Sequence, residues 1–115
     1  MLSGGGDIYT MRIQNPWFTY IKNGEKTIEG RPNVGKHATF KPKQHIKIMN
    51  KEESLMVEIV GILHYASFSD LFTYEGIENI LPGKNEVDGI QVYRQWYSEE
   101  KEREFGVIGL RLRLM

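Results

Sequence analysis

Glu29 and Arg31 stand two residues apart in the stretch Lys26-Thr27-Ile28-Glu29-Gly30-Arg31. In an extended chain, residues two apart share a face, so a carboxylate and a guanidinium placed this way can orient one another inside a cleft. The guanidinium is always cationic and presents a planar fork suited to a phosphate or a base edge. The carboxylate accepts from an exocyclic amine, as Glu does from cytosine N4. Lys26 has the opposite parity on such a strand. At a helix-to-strand corner it can still turn inward, and a partly desolvated Lys beside Arg31 loses basicity. The set can bind a base and polarise a carbonyl. The same residue types also make a surface ion-pair strand that only holds the helix corner, and types alone leave both readings open.

Two further groups of side chains bear on binding. Lys36, Lys41, Lys43 and Lys47, followed by Lys51, run without an intervening acid. That stretch can neutralise phosphates, with affinity falling as salt rises, or it can be an ordinary lysine-rich loop and strand edge. Trp17, Tyr20, Tyr93, Trp96 and Tyr97 can stack on bases. At helical spacing most of them are expected in the core, with Trp17 and Tyr93 as the exceptions that reach a ligand. His37, His45 and His64 have no metal-ligand spacing, so neither a metal nor a cofactor is expected.

These side chains must be positioned by elements that the pattern suggests. Ile8 to Ile13 reads as a short strand. Asn15-Pro16 starts a two-turn helix with an apolar side of Trp17, Phe18, Tyr20 and Ile21, which Asn23-Gly24 stops. Lys26 to Arg31 is predicted extended, and Pro32 to Lys43 a polar, basic loop. His45 to Met49 and Leu55 to Ala66 read as strands, with Gly61 marking a bulge or bend. Ser67 or Ser69 caps a short helix that Gly76 ends. One longer helix is predicted between Val87 and Arg103, its charged end at Ser98 to Glu104 solvated and without function. Gly106 to Leu114 closes as a strand. The order indicates an α+β fold: a small barrel of about five or six mostly antiparallel or mixed strands, with two to four short helices at its rim.

Composition bounds the remaining possibilities. The chain has 115 residues, no Cys, and 15 Lys+Arg balanced by 15 Asp+Glu. It fits one domain, expected over residues 8–115 after a flexible leader of residues 1–7, and is long enough for a real core. The lack of Cys excludes a disulfide scaffold, a thiol nucleophile and an iron–sulfur site. No apolar run suits a membrane span or signal peptide, so a soluble, cytoplasmic protein is expected. The zero net charge hides a split: residues 1–51 hold nine basic against three acidic side chains, and residues 52–115 six against twelve.

Gly24-Glu25-Lys26-Thr27-Ile28-Glu29-Gly30-Arg31 matches GxKxxExR, and in this the chain resembles the ASCH (activating-signal-cointegrator homology) domain family over about residues 8 to 114. The resemblance implies a PUA-like β-barrel whose signature lines a cleft between barrel and helices, and a role in recognising RNA, a nucleoside or a nucleotide through Lys26, Glu29, Arg31, Trp17 and Tyr93. A branch similar to this family removes acetyl from N4-acetylcytidine with a Lys and a Thr of the signature and an acidic residue near the late helix. By that resemblance Lys26 would activate the attacking group and Glu29 or Glu86 would move protons, although Glu29 stands where that branch has Thr. Two functions therefore remain open: a binding domain for RNA or a nucleoside, and a metal-independent amidohydrolase. Ribonuclease action is a third. The turn Lys43-Gln44-His45 also departs from the Gly-Asp that the family often has there.

Overall fold

A computed structural model describes residues 8–115; the leader expected over residues 1–7 lies outside them. Five strands form one sheet: β1 (Tyr9–Arg12), β2 (Ile28–Pro32), β3 (His45–Asn50), β4 (Glu53–Tyr65) and β5 (Val107–Leu114). Their spatial order is β1-β3-β4-β5-β2, with β1 and β3 parallel and every other pair antiparallel. The sheet curls into a half-barrel. Its two edge strands, β1 and β2, are not paired with each other, so the curl leaves an open seam between them.

Local chemistry explains the strands that border this seam. The Asn15 side chain accepts hydrogen bonds from the amide and the hydroxyl of Thr19 at 3.1 and 2.7 Å, which secures the first turn of α1 (Trp17–Lys22). The helix buries Trp17, Phe18 and Ile21, and Gly24, at φ 87°, supplies the left-handed turn that ends it. The chain then doubles back, with the amides of Glu25 and Lys26 both donating to the Tyr20 carbonyl. Strand β2 begins only at Ile28. Lys26 therefore belongs to the corner and not to the strand, which removes the parity problem that the sequence posed.

Strand β4 is long because it serves two partners, β3 along its first half and β5 along its second. The register shifts between Ile59 and Gly61, leaving Val60 as the extra residue of a bulge that bends the strand. Facing glycines leave room on the sheet for the helices. Gly30 and Gly109 are register partners. A Cβ at Gly30 would lie 2.9 Å from the Tyr93 hydroxyl, and one at Gly109 would lie 2.8 Å from Leu71 Cδ1. Only glycine lets α2 (Phe68–Glu75) and α3 (Glu86–Arg94) lie this close to the strands.

The single late helix predicted from Val87 to Arg103 is two helices. α3 ends at Arg94, and α4 (Glu99–Phe105) starts afresh behind Ser98, whose hydroxyl accepts from the Lys101 amide at 3.0 Å. The charged end expected to be solvated is not uniformly so. Glu102 is buried; it accepts from the Phe68 amide at 2.6 Å and pairs with Arg94. An acidic side chain thus caps the start of α2, where free amides favour negative charge. The basic loop also contains a 3-10 helix, Gly35–Thr39. The core joins the inner sheet face to α1 and α2 through Ile28, Ile59, Leu110, Phe18, Leu71 and Phe72.

Candidate functional site

The seam between β1 and β2 opens into a cavity of about 510 Å³. Glu29, Gly30 and Arg31 of β2 form one wall, the end of β1 with Trp17 of α1 another, and Tyr93, Trp96 and Tyr97 a third. The break between α3 and α4 is what positions the last two. Trp96 and Tyr97 sit in the corner between the helices, and Trp96 is 45% exposed. Phe68 stacks on Tyr93 at 4.2 Å between ring centroids, and Tyr93 on Tyr97 at 6.4 Å. The aromatic wall therefore continues into the core.

Three charges are locked together, two on this wall and one behind it. Lys26, 2% exposed, donates from Nζ to the carbonyls of Ile28 at 2.7 Å and Ile80 at 2.6 Å, and pairs with Glu29 Oε1 at 2.9 Å. All three of its hydrogens are occupied. Glu29 Oε2 accepts from Arg31 Nε at 2.9 Å and Nη2 at 2.7 Å. Arg31 Nη1 donates to the Tyr97 hydroxyl at 3.3 Å. The Tyr93 hydroxyl lies beside the Gly30 backbone, buried and without a hydrogen bond of ordinary geometry among the described residues.

The electrostatics follow from burial and proximity. Desolvation pulls the Lys26 ammonium below its ordinary value, and Glu29 partly opposes that. Burial alone would raise the Glu29 carboxyl, but Lys26 and Arg31 together hold it below the usual carboxylate range. Burial likewise works against the Arg31 charge, and Glu29 overcomes it to hold the guanidinium more firmly protonated. Burial raises the phenols of Tyr93 and Tyr97, so both are neutral hydroxyls near pH 7. His37 is pulled down, first by burial and then by the neighbouring Arg31.

Of the side chains that the sequence singled out, Glu29, Arg31, Trp17 and Tyr93 come together on the cavity wall. Lys26 stands behind Glu29 and is not on that wall. Glu86 is exposed at the start of α3, accepting from the Thr73 hydroxyl at 3.3 Å, and the fold does not bring it to the cavity. Lys36, Lys41 and Lys43 are exposed and Lys47 half-buried, all away from the wall. Only the last cation of that run, Lys51, reaches it. Trp96 and Tyr97, expected in the core, line the cavity, as does Arg12, which nothing in the sequence marks. The one available signal was Ser98, a cap residue in the middle of the predicted helix. Among the described residues, no three His, Asp or Glu side chains gather into a group able to hold a metal ion, and no helix is long and apolar enough to cross a membrane.

The described residues form an α+β half-barrel of the PUA-like kind, with an ion pair and an aromatic wall at its open seam. Residues 11–114 match the ASCH domain, and the chain belongs to that family. It is similar to the crystal structure of hypothetical protein PH0355, with 37% identity over 95% of this chain and all of that one, at a TM-score of 0.87. It is also similar to the solution structure of protein PF0455 from Pyrococcus furiosus, with 36% identity over 95% of this chain and 98% of that one, at a TM-score of 0.80. An ASCH protein from Zymomonas mobilis shares the fold at 15% identity and a TM-score of 0.55, over 90% of this chain and 65% of that one. No curated protein matches the chain.

Proposed function

We propose that this domain binds a nucleotide, free or as a unit of single-stranded RNA, in the seam cavity. The observation that carries this reading is the make-up of the cavity wall. A volume of about 510 Å³ falls within the roughly 300–1,000 Å³ of small-molecule sites. Flat aromatic surfaces at Trp17, Trp96 and Tyr97 suit a planar base, because every base offers a π-face for stacking. Arg12, Arg31 and Lys51 set three cations against the one carboxylate of Glu29, a balance that suits phosphates. The amidohydrolase reading draws no comparable support, since Lys26 has no hydrogen left to offer and Glu86 lies elsewhere.

The two tryptophans of the chain, Trp17 and Trp96, both border the cavity, so intrinsic fluorescence reports on it directly. Titration with a short single-stranded RNA and with nucleoside monophosphates at low salt is expected to give saturable quenching. Trp96→Ala should weaken binding by about 1–3 kcal/mol, the size of a lost base–aromatic stack, and lower the thermal unfolding midpoint less than loss of a core aromatic would, because Trp96 is 45% exposed. An absence of binding to both ligand types would overturn the reading.

A further inference from the structure

The geometry points to a cavity wall that reads a base through its adjacent hydrogen-bond acceptors, with guanine as the base it fits best; the inference rests on the binding function proposed above. It reverses the role that the spacing of Glu29 first suggested. A Glu available to accept would favour the exocyclic amines of cytosine or adenine. Here three of its roughly four lone-pair sites are taken, one on Oε1 by Lys26 and two on Oε2 by Nε and Nη2 of Arg31, so donors outnumber acceptors on this wall. Glu29 is a positioning residue. It fixes the plane of the Arg31 guanidinium from one side while the Tyr97 hydroxyl holds Nη1.

Counting donors gives the rest. A guanidinium has five N–H groups, and three of those on Arg31 have partners among the described residues: Nε, one on Nη2 and one on Nη1. One N–H on each terminal nitrogen remains to donate to a ligand. Tyr97 accepts from Arg31, so its own hydroxyl proton is free to donate. Guanine presents two adjacent acceptors, O6 and N7, and a paired donor from arginine is the commonest specific contact to them. Uracil offers one carbonyl at the equivalent edge. Cytosine and adenine carry an amine there, which meets donors.

Phosphate oxygens share the acceptor chemistry, so the test separates the two sources. GMP, UMP, CMP and AMP are titrated by tryptophan fluorescence beside guanosine and inorganic phosphate, with wild type and with Arg31→Lys and Tyr97→Phe. The expected result is GMP at least about tenfold tighter than CMP and AMP, the scale of one good paired contact. UMP should fall between them, guanosine should compete with GMP, and inorganic phosphate should not. Arg31→Lys keeps the charge and removes the fork, so it should abolish the preference. Tyr97→Phe, which leaves the Glu29 pair intact, should reduce the preference severalfold if Arg31→Lys does not fold. Equal binding of all four nucleotides overturns this inference and leaves the binding function standing. Phosphate competing where guanosine does not also overturns it, and assigns the fork to phosphate. Binding of none of these nucleotides or of RNA overturns both.

Discussion

Lys26, Glu29 and Arg31 show how three charges can be kept inside a small domain. Each taken alone would be costly to bury, and removing one partner of a buried pair leaves the rest uncompensated, at about 3–5 kcal/mol. Glu29 is the centre, because it is the one anion between two cations. Glu29→Gln is therefore expected to lose about that much stability near neutral pH, measured by urea denaturation, and more than Lys26→Met, which leaves Glu29 paired with Arg31. The pH dependence has a definite sign. The folded-state value of Glu29 lies below its ordinary 4.5, so the stabilisation it brings is present above that ordinary value and is lost as pH falls through the folded one. Denaturation series between pH 5 and pH 2 should show a shallower acid loss in Glu29→Gln than in wild type. Equal acid slopes would mean that Glu29 is not the group holding this charge balance.

At the scale of elements, the break between α3 and α4 decides what the site contains; Ser98 caps the new helix locally, and Glu102 ties it to an element distant in sequence. Glu102 reaches back to the Phe68 amide and to Arg94, pinning α4 against the start of α2 and turning Trp96 and Tyr97 toward the seam. Glu102→Ala should cost about 1.5–3 kcal/mol, as expected for lost bonds to a charged group, read as a lower urea midpoint with an unchanged m-value. It should also disturb nucleotide binding through Trp96 and Tyr97, although Glu102 lines no part of the cavity. This explains what could and could not be read from the chain alone. The strands, α1, the cap of α2 and the bulge near Gly61 follow from period, caps and glycines, all local signals. Glu29 and Arg31 on one face follow from the two-residue repeat of a strand. The burial of Glu102 against the Phe68 amide, 34 residues away, and the arrival of Arg12 at the cavity through the curl of the whole sheet do not follow from such local signals. A single glutamate among five charged neighbours carries no local mark that it will be buried.

At the scale of the whole molecule, the neutral chain is a dipole in sequence, and folding decides where its positive half acts. Two sets of cations compete for the role of phosphate contact. Lys36, Lys41 and Lys43 are exposed and numerous, yet they lie off the cavity wall, while Arg12 and Lys51 stand on it. Salt dependence separates them, because each phosphate contact on a single strand contributes about −0.7 to the slope of log K against log salt. If the ligand lies in the seam, Lys51→Ala and Arg12→Ala should each flatten that slope by about 0.7 for a short single-stranded RNA, and the two losses should add. The triple variant Lys36→Ala, Lys41→Ala, Lys43→Ala should then change it less than either, since none of the three lies on the cavity wall. The opposite pattern, a slope set by the three exposed lysines, would place the strand along the basic loop and leave the seam to hold at most a single base.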